Sequence, residues 1–299
     1  MRRRKVSAQP DRPPLTVVVA SLGPQAALES CLAALEPQVD GAEVLVCDGH
    51  RNTSELSRRF QWARFVELPT RLVPELWRDG IGLASGRIVA LTISAMIPEA
   101  DWIESIKAVH ADHDVVGGAI EPAASLRVAD WAEYFCRYVR DMRPFEGHEC
   151  VEHLPGDNAA YKRELLERTR ELYQDGFWEP VVHRRLAEEG VVVWHSPELV
   201  VRQGRSAGVR AFLRQRLVHG RAHGRKRGVH FGRLRNLAGV LGAALVPPLL
   251  TLRIFREVAA KRRYRLRLVT ALPLLLAYNV AWAAGEALGH TDALRGRPE

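Results

Sequence analysis

The residues best suited to chemistry in this chain of 299 are a few carboxylates and a great many arginines. From Arg202 to Arg267 there are 18 Lys or Arg and one acid, Glu257. That stretch carries +17 and leaves −9 for the rest of a chain whose formal net charge is +8. A block of this kind points to phosphates, on nucleic acid, anionic lipid or a phosphorylated substrate. Among the carboxylates, Glu179 stands between Trp178 and Pro180, with Phe177 beside them. Apolar neighbours desolvate a carboxyl and raise its pKa, which suits a general base. The competing reading is a first-turn glutamate that favours the helix dipole. Asp48 ends an apolar run and precedes Gly49, so it is either a ligand-binding acid at a strand end or a turn aspartate.

Other constellations carry less. "GRSAG" (204–208) fits the nucleophile-elbow pattern, but the acid and histidine that must follow are only Glu257 or Glu286 with His290, in or beside apolar segments. His148, Cys150 and His153 lack a second cluster at zinc spacing. His110 and His113, three apart at a helix end, read as solvated. Cys31 and Cys47 lie in apolar, periodic surroundings and read as reduced core residues, so a cytosolic catalytic region is expected.

The elements that must position these residues follow from periodicity. "LTVVVA" (15–20) is an all-apolar, β-branched run, as in a strand buried on both faces. Ser21 can cap the helix that follows, and residues 43–47 form a second strand ending at Asp48-Gly49. Strand, helix, strand in that order argues for a parallel α/β sheet. A helix over 74–86, the strand "RIVALT", a helix from "ADW" and the strand "DVVGGAIEP" come next. "GDNAAYKRE" reads as a polar loop entering a helix, "EPVVHRRLAEEG" as a helix, and "VVVWH" as the last strand.

Beyond Arg202 the pattern changes. A strongly basic, partly helical stretch leads into two apolar segments, 237–252 and 268–285. The first contains Pro247-Pro248 and is short for a span, which needs about 20 apolar residues. The second contains Pro273 and Asn279. Apolar segments alternating with arginine-rich ones suit an anionic membrane surface. Two core helices of a soluble domain are the alternative. Nucleic acid would explain the charge but not the apolar segments, and is not expected as a partner. The first 14 residues, basic and proline-rich, read as a disordered arm.

Five stretches, taken in order, resemble the family 2 glycosyltransferases of the GT-A fold. "LTVVVASLGPQAALESCLAALEPQ" is similar to their first strand and helix. "VLVCDGH" resembles the strand ending in an Asp-Gly turn at the nucleotide. "LWRDGIGLASGRIVALT" resembles the Arg-Asn-x-Gly helix and the strand leading to the metal motif. "PGDNAAYKRE" resembles the Gly-x-Asn loop, and "GFWEPVVHRRLAEEG" the helix that opens with the catalytic acid. Together they cover Leu15 to about Gln203. The C-terminal segments are similar to those of membrane-associated members.

The resemblance implies a Rossmann-like, mostly parallel sheet flanked by helices. It also implies transfer of a sugar, with inversion, from an activated donor, usually a nucleotide sugar, to a lipid or glycan hydroxyl. A hydroxyl nucleophile needs a base within hydrogen-bond reach, and a diphosphate leaving group needs positive charge. Carried over by position, Glu179 is the base and Asp48 the nucleotide-binding acid. Ser21 belongs to the same strand-end site. Arg78 and Asp79 stand at the Arg-Asn pair, where Arg78 either meets the donor phosphates or braces its helix. Asn158 either touches a sugar or organises its loop.

The departure lies in "ALTISAMIPEADW". The family's Asp-x-Asp pair, which holds Mg2+ or Mn2+, falls on Thr92 and Ser94, and neutral hydroxyls are poor ligands for these ions. Glu99 and Asp101 lie just beyond, but Pro98 is expected to begin the next helix and to place both acids in its first turn. Three accounts follow. Cations such as Arg205, Arg216, Arg221 or His223 replace the metal. The donor leaves without one. Or the site has kept binding and lost catalysis. "RQRLVHGR" (214–221) partly matches the Gln-x-x-Arg-Trp element of processive members but lacks the tryptophan. The division expected is an arm over 1–14, a GT-A domain over 15–205 and a membrane-associated helical region over 206–299, at the cytoplasmic face of the membrane.

Overall fold

The computed structural model describes residues 12–50, 53–124, 126–150, 154–204, 208–229 and 231–296. Most of the arm expected over 1–14, with Arg205, His153 and the centre of "GRSAG", lies outside them.

β1 (Leu15–Ser21) is buried along its whole length, in keeping with its mostly apolar, β-branched sequence. Burial of one such Val or Leu contributes roughly 1.5–3 kcal/mol. α1 (Gln25–Leu35) turns Leu28, Cys31, Leu32 and Leu35 inward; Pro24 is its N-cap, so Ser21 stays in the strand and does not cap it. β2 (Ala42–Asp48) follows, then α2 (Ser54–Arg59), the short β3 (Arg64–Glu67) and α3 (Val73–Leu83). α3 packs on β1 and β2, where Gly80 faces the side chains of Val18 and Cys47. Burial pushes the thiols of Cys31 and Cys47 up to about 12, which keeps them neutral.

β4 (Ile88–Ile93) is followed by β5 (Met96–Pro98), α4 (Trp102–Val109), β6 (Val115–Pro122) and α5 (Val128–Tyr138). Then come β7 (His148–Glu149), β8 (Asn158–Lys162), α6 (Arg163–Arg168), α7 (Glu179–Glu188) and β9 (Val193–Gln203). α8 (Val209–Val229), α9 (Arg233–Gly242), α10 (Val246–Lys261) and α11 (Arg265–Leu294) complete the described chain.

The strands share one sheet in the order β3-β2-β1-β4-β8-β6-β9-β5, with β7 on β9. Pairs β1–β2, β1–β4 and β2–β3 are parallel. Pairs β4–β8, β6–β8, β5–β9 and β7–β9 are antiparallel. The fold is thus α/β with a mixed sheet flanked by helices, not a mostly parallel one, and a C-terminal helical region. The antiparallel half arises because "NAAYK", expected as loop, is strand β8, and β9 is longer than its apolar core suggests.

Two further expectations change. Pro98 does not open a helix: it ends β5, which pairs with β9, and α4 begins at Trp102 with Asp101 as its N-cap. His110 is buried, and desolvation lowers its pKa to about 4; His113 stacks on Trp194 with ring centroids 4.4 Å apart.

The chain divides into two compact units. One holds the described residues up to Glu121 together with Arg143–Gln203; the other holds Pro122–Met142 together with residues from Gly204 onward. Residues 122–142, with α5, therefore group with the C-terminal helices. In the second unit the proline pair sits in the first turn of α10, where no helical N–H bond is lost. Helical stretches Arg233–Lys261 and Arg265–Leu294 are long and apolar enough to cross a membrane.

Candidate functional site

Strand register collects the polar residues of the first unit on one edge of the sheet. Ser21 pairs with Asp48, Ala20 with Ile93, and Thr92 with Asn158. The carboxyl ends of β2, β1 and β4 and the start of antiparallel β8 thus lie side by side. In α/β sheets this edge is where ligands bind, because the chain leaves the strands there in loops that can be shaped without disturbing the core.

Ser21 and Asp48, both nearly fully buried, line a cavity of about 340 Å³ with Gly23, His50 and Thr53. The turn is tight: Gly49 donates its N–H to the Ser21 carbonyl at 2.9 Å, and a Cβ at Gly49 would overlap the Leu22 side chain. His50 is fixed by a 2.8 Å bond between its Nε2 and the Leu22 carbonyl. Ser94, just past β4, donates its N–H to the Ala20 carbonyl at 2.9 Å, and its hydroxyl faces Gly23. His50, Thr53 and Gly23 were not singled out from sequence. The signal that could have found them is the loop position directly after each strand end.

Glu179 opens α7 at the same edge. Its Oε1 accepts the Gly156 N–H at 3.1 Å, two residues before β8. A Cβ at Gly156 would overlap this carboxylate, so only glycine permits the approach. The Phe177 N–H donates to the Pro74 carbonyl at 2.8 Å, tying the entry of α7 to the first turn of α3. Behind Glu179, Tyr161 Oη and His183 Nε2 share a buried hydrogen bond of 2.8 Å. Burial, with the Glu179 charge adding to it, raises the Tyr161 pKa well above its usual value; burial lowers His183 to about 4.

Thr92 and Asn158 are at the edge but turned into the core. The Thr92 hydroxyl donates to the Asp157 carbonyl at 3.0 Å, and its own carbonyl accepts from Trp77 Nε1 at 2.9 Å. The Asn158 amide donates to the carbonyls of Ala119 and Leu199 at 3.0 and 3.1 Å, while its oxygen accepts from Trp102 Nε1 at 2.8 Å. This side chain is fully buried.

Arg78 and Asp79 pair with each other at 2.6 Å, and Arg78 also donates to the Gln174 carbonyl at 2.9 Å. They line a separate cavity of about 900 Å³ with Arg163, Arg170 and Glu171, away from the lining of the Asp48 cavity. Arg216 belongs to the helical unit. Its guanidinium stacks over the Trp282 ring at 4.3 Å, and desolvation lowers its pKa, opposed by Cys136 and aided by Arg137. Arg221 pairs with Asp292 at 2.6 Å, and His223 lies 5.6 Å from the Trp282 ring.

The residues present do not fit a divalent metal of the expected kind. Thr92 spends its hydroxyl proton on a backbone carbonyl, Ser94 is neutral, and Glu99 pairs with Arg202. Among the described residues no group of three or more His, Cys, Asp or Glu could hold an ion.

No protein-family model matches the chain, and no curated protein matches it. A crystal structure of a mycobacterial protein is similar with a TM-score of 0.48 and 18% identity, over 70% of this chain and 73% of that one, a likeness too shallow to carry an argument.

Proposed function

We propose that the protein is a glycosyltransferase of the GT-A type that works without a bound divalent metal at the cytoplasmic face of a membrane. Its donor is an activated sugar, in the first instance a nucleotide sugar, and its acceptor a lipid or glycan hydroxyl. The observation that carries the reading is the cavity at the carboxyl ends of β1 and β2, with Asp48 and Ser21 in its wall and the helix-opening Glu179 on the same sheet edge. An acid in the cavity wall can bind the ribose or base of a nucleotide. A second acid at that edge can take the acceptor proton as the hydroxyl attacks the anomeric carbon and the bond from that carbon to the donor's diphosphate breaks on the opposite face, releasing the nucleoside diphosphate, so that inversion follows from a single displacement. The two helical stretches that are long and apolar enough for a membrane support a lipid or lipid-linked acceptor. The test is a transfer assay against a panel of nucleotide sugars in the presence of lipid acceptors, with the Glu179→Gln protein beside the parent. Turnover that disappears in the variant while donor affinity persists is expected; equal turnover in both removes Glu179 as the base.

One observation favours a second reading, a non-catalytic GT-A protein that binds a partner or a lipid headgroup. Thr92 occupies the metal-motif position with its hydroxyl committed to the core. Absence of turnover with every donor, together with retained lipid or partner binding, would favour it.

A further inference from the structure

In the helical unit, α9 and α10 follow one another through a single 3-10 turn and bury one side only. Asn236, Ala243, Thr251, Ile254 and Val258 are inside. On the other side Leu234, Leu237, Leu241, Leu245, Leu249 and Leu252 are exposed, Leu234 by 85% and Leu241 by 70%. Their spacing of three and four residues puts all six on one helical face. Arg235 and Arg253 border that face, Arg233 precedes it, and the exposed Arg256 follows Leu252 one turn on. A continuous apolar face of this size on a soluble surface needs an occupant.

α11 meets the composition of a membrane span, yet its surroundings do not suit one. From Tyr278 onward it runs beside α8, which carries seven Lys or Arg. The two backbones touch: a Cβ at Gly220 or Gly224 would overlap the carbonyls of Trp282 and Glu286, and one at Gly285 or Gly289 those of Leu217 and Arg221. Arg221–Asp292 at 2.6 Å and Arg227–Glu286 at 3.2 Å bind the pair further. Moving α11 through a bilayer would carry α8 and its arginines into hydrocarbon, which charged side chains oppose strongly.

We propose that neither long apolar helix crosses the membrane, and that α9–α10 lies in the plane of one leaflet with its leucine face in the acyl region and its arginines on anionic headgroups. Charge complementarity selects the occupant: an apolar stripe bordered by arginines and free of acids along its exposed face fits an anionic lipid surface. The proposal rests on the membrane location given above and not on the transfer chemistry.

Two measurements on the full chain test it. In the first, flotation is compared for vesicles of phosphatidylcholine with and without phosphatidylglycerol, using the parent and the Leu241→Glu/Leu249→Glu protein. Both leucines are exposed, so the fold is expected to persist. Binding that requires phosphatidylglycerol and falls more than about tenfold in the variant is the expected result. Unchanged binding in the variant overturns the proposal, as does a parent protein whose stripe pairs two copies, seen as a dimer in sedimentation that the variant abolishes while flotation stays intact. In the second, Arg214→Cys on α8 and Arg263→Cys in the α10–α11 turn are labelled with a membrane-impermeant maleimide on sealed vesicles, and the labelled sites are identified by mass spectrometry. Equal labelling from the same side is expected. An Arg263→Cys site that labels only after permeabilisation means that the two helices span as a hairpin, and overturns the in-plane mode while leaving membrane location standing. A parent protein that floats with neither vesicle overturns both.

Discussion

At the β4–β8 side of the sheet edge, Thr92 and Asn158 are buried polar residues whose hydrogen bonds run to the protein itself: the carbonyls of Asp157, Ala119 and Leu199 and the Trp102 indole. At the β1–β2 side, Ser21 and Asp48 are about as deeply buried and line a cavity. Both kinds of residue look alike in sequence, as polar groups at the end of an apolar run. The difference teaches that position at a strand end does not define a site. What sets the two sides apart is that a cavity open to a ligand lies against Ser21 and Asp48.

The comparison can be broken most forcefully at Glu179. The Glu179→Gln protein should lose roughly a hundred- to ten-thousand-fold in turnover while its affinity for donor barely moves. A variant that turns over normally, measured by product formation under saturating donor, would place the base elsewhere. On the committed side, Asn158→Ala should cost about 3 kcal/mol of stability in urea unfolding, because it strands an indole N–H and two backbone carbonyls. The folded fraction should bind nucleotide as the parent does; an affinity loss at unchanged stability would instead return Asn158 to the ligand site.

Acid sharpens the same contrast. His110 and His183 have pKa values lowered to about 4 by burial, against about 6.5 in an unfolded chain. The unfolded state therefore takes up these protons first. The stabilisation is complete above about pH 6.5 and is lost as pH falls toward 4, on the order of 3 kcal/mol for each group. Tm should fall steadily over that window, and a flat profile would mean that both histidines are solvated. The smallest effect belongs to Thr92→Val, which removes one bond to a backbone carbonyl and should cost about 1 kcal/mol with no change in metal dependence.

How much of this was legible beforehand depended on how each element buries its residues. β1, β2, β4 and β6 are dominated by apolar residues because most of their length is covered on both faces, and such runs are visible at a glance. β8 was not, since five residues beginning with Asn158 and ending in Lys162 show no alternation. Only pairing with β4 and β6 makes them a strand. β3 is four residues at the sheet edge and left no pattern. Pro98 was misleading because proline serves the first turn of a helix and the end of a strand equally well. The carboxylates at Asp48 and Glu179 stand out only through the family resemblance, since type and spacing alone fit a turn aspartate and a first-turn glutamate as well. The role of Gly156 could not, because the close approach of a carboxylate 23 residues away is a fact of three dimensions. The glycines of α8 were hidden in the same way, inside a stretch whose basic charge dominates any reading of composition.

The most direct test of the account is calorimetric titration of UDP and GDP into the parent and the Asp48→Asn protein, once with Mn2+ and once with EDTA. The account predicts that one nucleotide binds the parent equally well in both buffers and that the variant loses at least about tenfold in affinity, as expected when a charged hydrogen bond is removed. Binding that requires Mn2+ would contradict metal-free recognition, and failure of either nucleotide to bind would contradict the assignment of the Asp48 cavity itself.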